Sequence, residues 1–310
     1  MNVFVSYIRD FTRNVHAGLL IFCFAYAAFL IFINYCFGIE PRVLYNFSNR
    51  FYRFSGFYLL YLAAFATPYL FLVVVKGKQV TELRLLLVMV VICPAVFALK
   101  VTLAGLPQFV QHHMPGTWGR FVAVILNLPL RLLLMLVPLF FIWWLGNYPR
   151  PFFGVSFTNF NWTPYLVMLL IMLPLVTWAS TQADFLNTYP KLRQVDFLSA
   201  HTRNHWFYIM LFEVSYGLDF FTIELFFRGF LVLAFVRFAG QDAILPAAVF
   251  YCSIHFGKPL AECISSFFGG LLLGIIVYQT RSIAGGLAVH LGIAWMMEAG
   301  GYLGNLARHK

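Results

Sequence analysis

From Val15 to Phe37 the chain runs without an Asp, Glu, Lys or Arg, and apolar runs recur along its whole length. A helix of that length covers a hydrocarbon core of about 30 Å. Lipid satisfies no backbone hydrogen bond, so only helices and closed barrels can span it. Alternating ten-residue strands are absent, which leaves a helical bundle. Composition agrees: 62% of the 310 residues are hydrophobic and 10% charged, against about 45–50% and 25% in soluble domains. The apolar runs are too many for a signal peptide to explain them. The expected fold is therefore all-α, a polytopic transmembrane bundle of about eight spans.

The first spans are read at Val15–Phe37, Gly56–Val75 and Leu85–Leu106. Phe121–Leu145 holds Pro129 and Arg131. It reads as one kinked span, or as an interfacial helix followed by a span from Leu132. Trp162–Ala179 is a fifth. A polar break from Ser180 to His205 then divides an N-terminal membrane region, residues 1–204, from a C-terminal core at 205–304, with a tail at 305–310.

The net charge is +10. Its Lys and Arg residues sit mostly between apolar spans, as at Arg50 and Arg53, Lys76 and Lys78, Lys191 and Arg193. That placement suits a bilayer with anionic headgroups. No motif points to nucleic acid, which is excluded as a partner. Cys23, Cys36, Cys93, Cys252 and Cys263 show no C-x-x-C spacing and read as small hydrophobes. His112 and His113 have no third ligand nearby and read as a loop or interface pair.

The segment Asp219–Phe230 differs in kind. It is apolar enough for the membrane yet carries Asp219, Glu224 and Arg228. Ionisable groups at that depth cost roughly 2.5–3.5 kcal/mol each on insertion scales. Glu224 and Arg228 are four apart, so on a helix they share a face, acid before base. Asp219 reads as a helix cap after a break at Gly217, or as part of the polar site. Gly270 and Gly274 are spaced to admit a neighbouring helix closely. His255 and His290 are expected to converge on Glu224. A carboxylate with two imidazoles can activate water for amide hydrolysis, with or without a metal. Glu, His and His is also a three-ligand zinc set.

Three stretches carry a family resemblance: Glu-Leu-Phe-Phe-Arg-Gly-Phe-Leu at 224–231, Tyr-Cys-Ser-Ile-His-Phe-Gly at 251–257, and Gly-Gly-Leu-Ala-Val-His at 285–290. Their order resembles the CPBP intramembrane proteases, the CAAX prenyl endopeptidases and bacteriocin-processing enzymes, whose pattern is Glu-Glu-x-x-x-Arg, Phe-x-x-x-His and His-x-x-x-Asn or Asp. The resemblance covers residues 205–303. It implies a helical membrane hydrolase acting on peptide bonds near or within the bilayer. It places the second Glu on Glu224, the Arg on Arg228, and the two His on His255 and His290.

Tyr251 stands for the Phe of the second motif, a mild change, and two further positions depart seriously. The water-activating Glu is Ile223, and the Asn or Asp of the third motif is Ala294. Asp219 lies four residues before Ile223 and Glu298 four after Ala294. Each missing group thus has a carboxylate one helical turn away that could compensate.

The leading expectation is an intramembrane (metallo)endopeptidase of CPBP type. Glu224 is base or ligand, His255 and His290 bind water or metal, and Arg228 holds Glu224. Zinc is the metal such a set would take, and a metal-free site is the alternative. The partners are a membrane peptide or protein substrate and the lipid bilayer. The location is a bacterial cytoplasmic (inner) membrane. An inactive relative that binds a membrane partner is the second expectation, and a proton-coupled transporter the third.

Overall fold

The computed structural model describes residues 2–77, 82–103, 105–158 and 161–308. Lys78, one of the cations read as lying between apolar spans, lies outside them, as do the last two residues of the tail. Among the described residues the chain is helical with no strand, the all-α architecture expected.

Among the described residues, five helices are long and apolar enough to cross a membrane: Ala17–Phe37, Arg50–Lys76, Leu83–His113, Thr117–Leu145 and Leu260–Thr280. The chain is thus an integral membrane protein, with fewer such helices than the about eight expected. Thr163–Ala179 is only 17 residues long. His205–Glu224 carries three carboxylates in its 20 residues. Ile244–Ser253 has 10 residues and is buried in protein along its whole length.

Two compact units interleave along the sequence. One comprises Met1–Thr102, Pro138–Thr158 and Glu224–Gly286, the other Leu103–Val137, Asn159–Ile223 and Leu287–Lys310.

In the first unit, Ile244–Ser253 packs against Leu260–Thr280, Arg50–Lys76, Ala17–Phe37 and the π-helix Leu225–Ala234. Glycine sets the first of these approaches. A Cβ on Gly270 would stand 3.0 Å from Tyr251 Cδ1, and one on Gly274 2.8 Å from Ile244 Cγ2. The small-residue spacing is used as expected. Phenylalanines fill the interior. Phe250 meets Phe227 at 5.1 Å and Phe65 at 5.5 Å between ring centroids, and Phe97 meets Phe226 at 5.2 Å. Each such pair adds about 0.5–1.5 kcal/mol beyond burial. Asp242, 1% exposed, accepts the His16 N–H at 3.1 Å and pairs with Lys76, which anchors the two N-terminal spans to this core.

In the second unit, Phe121, Val195, Leu198 and Phe212 form a small core. The polar break after Ser180 folds into a short helix, Ala183–Thr188, and a 3₁₀ helix, Lys191–Ala200. Gly301 packs so closely on Tyr189 and Pro190 that a Cβ there would lie 2.7 Å from the Pro190 nitrogen.

Gly217 and Asp219 lie inside the helix His205–Glu224. The expected break at Gly217, with Asp219 capping a new helix, is corrected: the chain stays α-helical to Glu224 and then widens into the π-helix. Wider turns of this kind are frequent at functional sites.

Candidate functional site

The π-helix carries the first motif into the core of the first unit. Glu224 is 0% and Arg228 2% exposed, with Nη1 of the guanidinium 3.3 Å from Oε1 of the carboxylate. The four-residue spacing thus forms the pair expected from it. Ions this deep have lost their water, so each depends on the other. Gly286, of the third motif, leaves room for the carboxylate, since a Cβ there would overlap Glu224 Oε2. Gly286 also lies in the first turn of the helix Ala284–Arg308. The positive end of that helix dipole favours a carboxylate beside it.

Arg228 continues to the second motif. Its guanidinium carbon lies 3.9 Å from the centroid of the Tyr251 ring, a cation–π contact. The Tyr251 ring then meets His255 edge-on, with centroids 4.7 Å apart. The His255 Nδ1 lies 3.0 Å from the Tyr251 carbonyl oxygen. A carbonyl can only accept, so Nδ1 carries the proton of this bond. In the neutral ring, Nε2 is then left with its lone pair. Glu224, Arg228, Tyr251 and His255 therefore form one contact series within the first unit.

The turn that ends at Lys258 is clamped by residues at and beyond the end of the first span. The Asn34 side chain donates to the Phe256 carbonyl at 2.9 Å and the Tyr35 hydroxyl to the Lys258 carbonyl at 2.5 Å. Asn34 Oδ1 in turn accepts the Glu40 N–H at 3.0 Å. Glu40, 5% exposed, lays its carboxylate on Gly257, where a Cβ would stand 2.8 Å from Oε1. Burial pushes the Glu40 carboxyl up to about 8, against the partly offsetting Tyr45 hydroxyl, Lys258 ammonium and Gly257 amide.

The other expected site residues lie in the second unit. His290 packs edge-on to Phe220, with centroids 4.7 Å apart. Asp219 is half-buried on the helix His205–Glu224. Glu298 is engaged structurally: its two oxygens accept the Lys191 and Leu192 backbone N–H groups at 2.8 and 3.0 Å. It thereby caps the 3₁₀ helix that Lys191 opens. Ile223 and Ala294 are both buried.

Among the described residues, no group of three or more His, Cys, Asp and Glu side chains is placed to hold a metal ion. The carboxylate of the expected zinc set, Glu224, already faces a buried guanidinium.

Tyr251 reads in the sequence only as a mild change, and Glu40 escapes it altogether. Tyr251, where the family pattern has Phe, supplies the face on which Arg228 rests. Glu40 belongs to none of the three motifs, though it is the single glutamate before Glu82 in a basic, apolar stretch.

Comparison with curated proteins and with solved structures finds no match. Residues 204–296, which carry all three motifs, match the family model for type II CAAX prenyl endopeptidase Rce1-like proteins, the family whose pattern they resemble.

Proposed function

We propose that the chain is an intramembrane endopeptidase of the CAAX protease-like type, acting on a membrane-anchored peptide in a bacterial cytoplasmic membrane. The observation that carries this reading is the 3.0 Å contact of His255 Nδ1 with the Tyr251 carbonyl oxygen, which favours the tautomer protonated at Nδ1. It leaves Nε2 of a half-buried imidazole as a proton acceptor. Water attacks the scissile carbonyl carbon as Nε2 takes its proton. The C–N bond then breaks and the imidazolium returns the proton to the leaving amine. His290, by its place in the third motif, is assigned to the developing oxyanion. Glu224 moves from base to partner of Arg228, because its carboxylate is fully buried in an ion pair. Asp219 remains the candidate carboxylate for the place of Ile223. Glu298 is left out, its oxygens being committed to Lys191 and Leu192. No metal enters these steps.

A second reading is favoured by one observation. Ile223 stands where the family has its water-activating Glu, and it is buried. Under that reading the fold binds a membrane peptide without cutting it.

Purified protein in liposomes, given quenched-fluorescent membrane peptides with and without a prenyl group, separates the two. The enzyme reading expects cleavage that falls roughly 10²–10⁴-fold in His255→Ala. Cleavage that survives both His255→Ala and Asp219→Ala would sink it. Peptide capture without cleavage by the wild type supports the second reading.

A further inference from the structure

In the first unit the helices Ile244–Ser253 and Leu260–Thr280 pack against each other, joined by the short turn that carries His255. Glycine draws their backbones together. A Cβ on Gly274 would stand 2.8 Å from Ile244 Cγ2, and one on Gly270 3.4 Å from the Ala248 Cα. Next to the turn this seam ends on two cysteines. Cys252 is the last residue but one of the first helix, and Cys263 lies in the first turn of the second. Their sulfurs are 3.9 Å apart, and both side chains are buried. The peptidase reading uses neither thiol.

A thiol enclosed by hydrocarbon alone is inert, because the thiolate is the reacting form. These two have polar company. Cys252 Sγ lies 3.5 Å from the Cys263 carbonyl oxygen, and the Tyr35 hydroxyl borders Cys263. A sulfur that loses its proton here still faces the S–H of the other. Gly257, on the turn between them, is exposed, so a molecule as small as a peroxide meets the turn from outside. A disulfide needs its sulfurs about 2.05 Å apart. The close backbones leave that last approach to side-chain rotation and a small shift of the turn. The place of the pair gives the bond its consequence. The Cys252 carbonyl accepts the His255 N–H at 3.0 Å, and the Pro259 carbonyl accepts the Cys263 N–H at 3.0 Å. The two cysteines thus stand at the two feet of the turn.

We infer that Cys252 and Cys263 are an oxidation site, closed by peroxide into a reversible intramolecular disulfide that locks the turn carrying His255. The thiolate of one cysteine attacks a peroxide oxygen. The O–O bond breaks, hydroxide leaves and a sulfenic acid forms. The sulfur of the other cysteine then displaces the sulfenic hydroxyl, the S–S bond forms and water leaves. Each sulfur gives up one electron and the peroxide takes both, so two thiols and one hydrogen peroxide become one disulfide and two waters. A dithiol reverses the bond by exchange. Burial keeps bulky thiols from the sulfenic acid, so the neighbouring cysteine is the group that captures it.

The full-length protein in detergent, as wild type and as Cys36→Ser to remove an exposed thiol, is treated with hydrogen peroxide, alkylated under denaturing conditions and digested. The expected result is a linked peptide pair joining Cys252 to Cys263, an intact mass lower by two hydrogens, and a raised Tm, all reversed by dithiothreitol. Cys252→Ala and Cys263→Ala each lose the link and the Tm response, and either one serves should the other not fold. The readout needs no substrate, so it stands whether or not the chain cleaves peptides. Both thiols recovered alkylated, at a peroxide dose that oxidises the exposed Met114, overturn the inference. So does either cysteine carried to sulfinic acid without a link, or a link made to Cys23 or Cys93 instead.

Discussion

Arg228 rests on Tyr251, its guanidinium carbon 3.9 Å from the ring centroid, and this contact links the first motif to the second. Both residues are buried, so the ring replaces part of the hydration the cation has lost. Desolvated cation–π contacts are worth about 2 kcal/mol. Tyr251→Leu is expected to lower stability by about that much, and Tyr251→Phe, the residue of the family pattern, by less than half of it. Thermal unfolding in detergent checks both. An equal loss in the two variants would assign the effect to the hydroxyl rather than the ring face.

The Glu224–Arg228 pair gives a sharper test. Breaking a buried pair by removing one partner costs about 3–5 kcal/mol, because a bare charge is left behind. Replacing both partners by neutral groups of similar shape costs far less. Glu224→Gln and Arg228→Met should each destabilise strongly, and the double variant should recover much of the loss. A double-mutant cycle on unfolding free energies measures the coupling. Additive losses would mean that the ions do not depend on one another.

What the sequence made legible follows from the range of each interaction. The Glu224–Arg228 contact is local, fixed by helical spacing, and could be read directly. The use of Gly270 and Gly274 for close packing was legible for the same reason, since small residues one turn apart have few other uses within a membrane. The Glu40 contact with Gly257 spans more than two hundred residues, and no periodicity encodes it. Nor could spacing tell that Glu298 would cap a 3₁₀ helix opening at Lys191, because that depends on where the polar break folds back. Gly217 misled for a different reason. One glycine costs a helix only about 1 kcal/mol, which tertiary packing readily outweighs.

The third motif contributes through Gly286. A Cβ there would run into Glu224 Oε2, which is fully buried and held towards Arg228. Gly286→Ala would gain helix propensity of about 1 kcal/mol on an exposed helix. Here the carboxylate has to shift to admit the methyl group, and the ion pair lengthens with it. The expected outcome is a net loss of stability that disappears in the Glu224→Ala background, where the obstruction is gone. Unfolding of the single and double variants decides it. A Gly286→Ala protein as stable as the wild type would contradict the packing described.

Glu40 offers a pH signature, with the sign fixed by its direction of shift. Burial raises its carboxyl to about 8 in the folded protein, while an unfolded Glu titrates near 4.3. Between these values the folded state binds a proton that the unfolded state has released. Stability due to this group is therefore fully present at acid pH and is lost as pH rises through the interval, levelling off above about 8. Glu40→Gln keeps the shape and the neutral state but cannot titrate. Its Tm should track that of the wild type near pH 5 and exceed it by pH 8. Because Glu40 lies on the turn that follows His255, the wild type's proteolytic rate should also change over this interval in a way the variant's does not. Parallel Tm profiles for the two proteins across pH 5–8 would show that the Glu40 carboxyl is charged throughout, and the clamp on Gly257 would then be an anionic one.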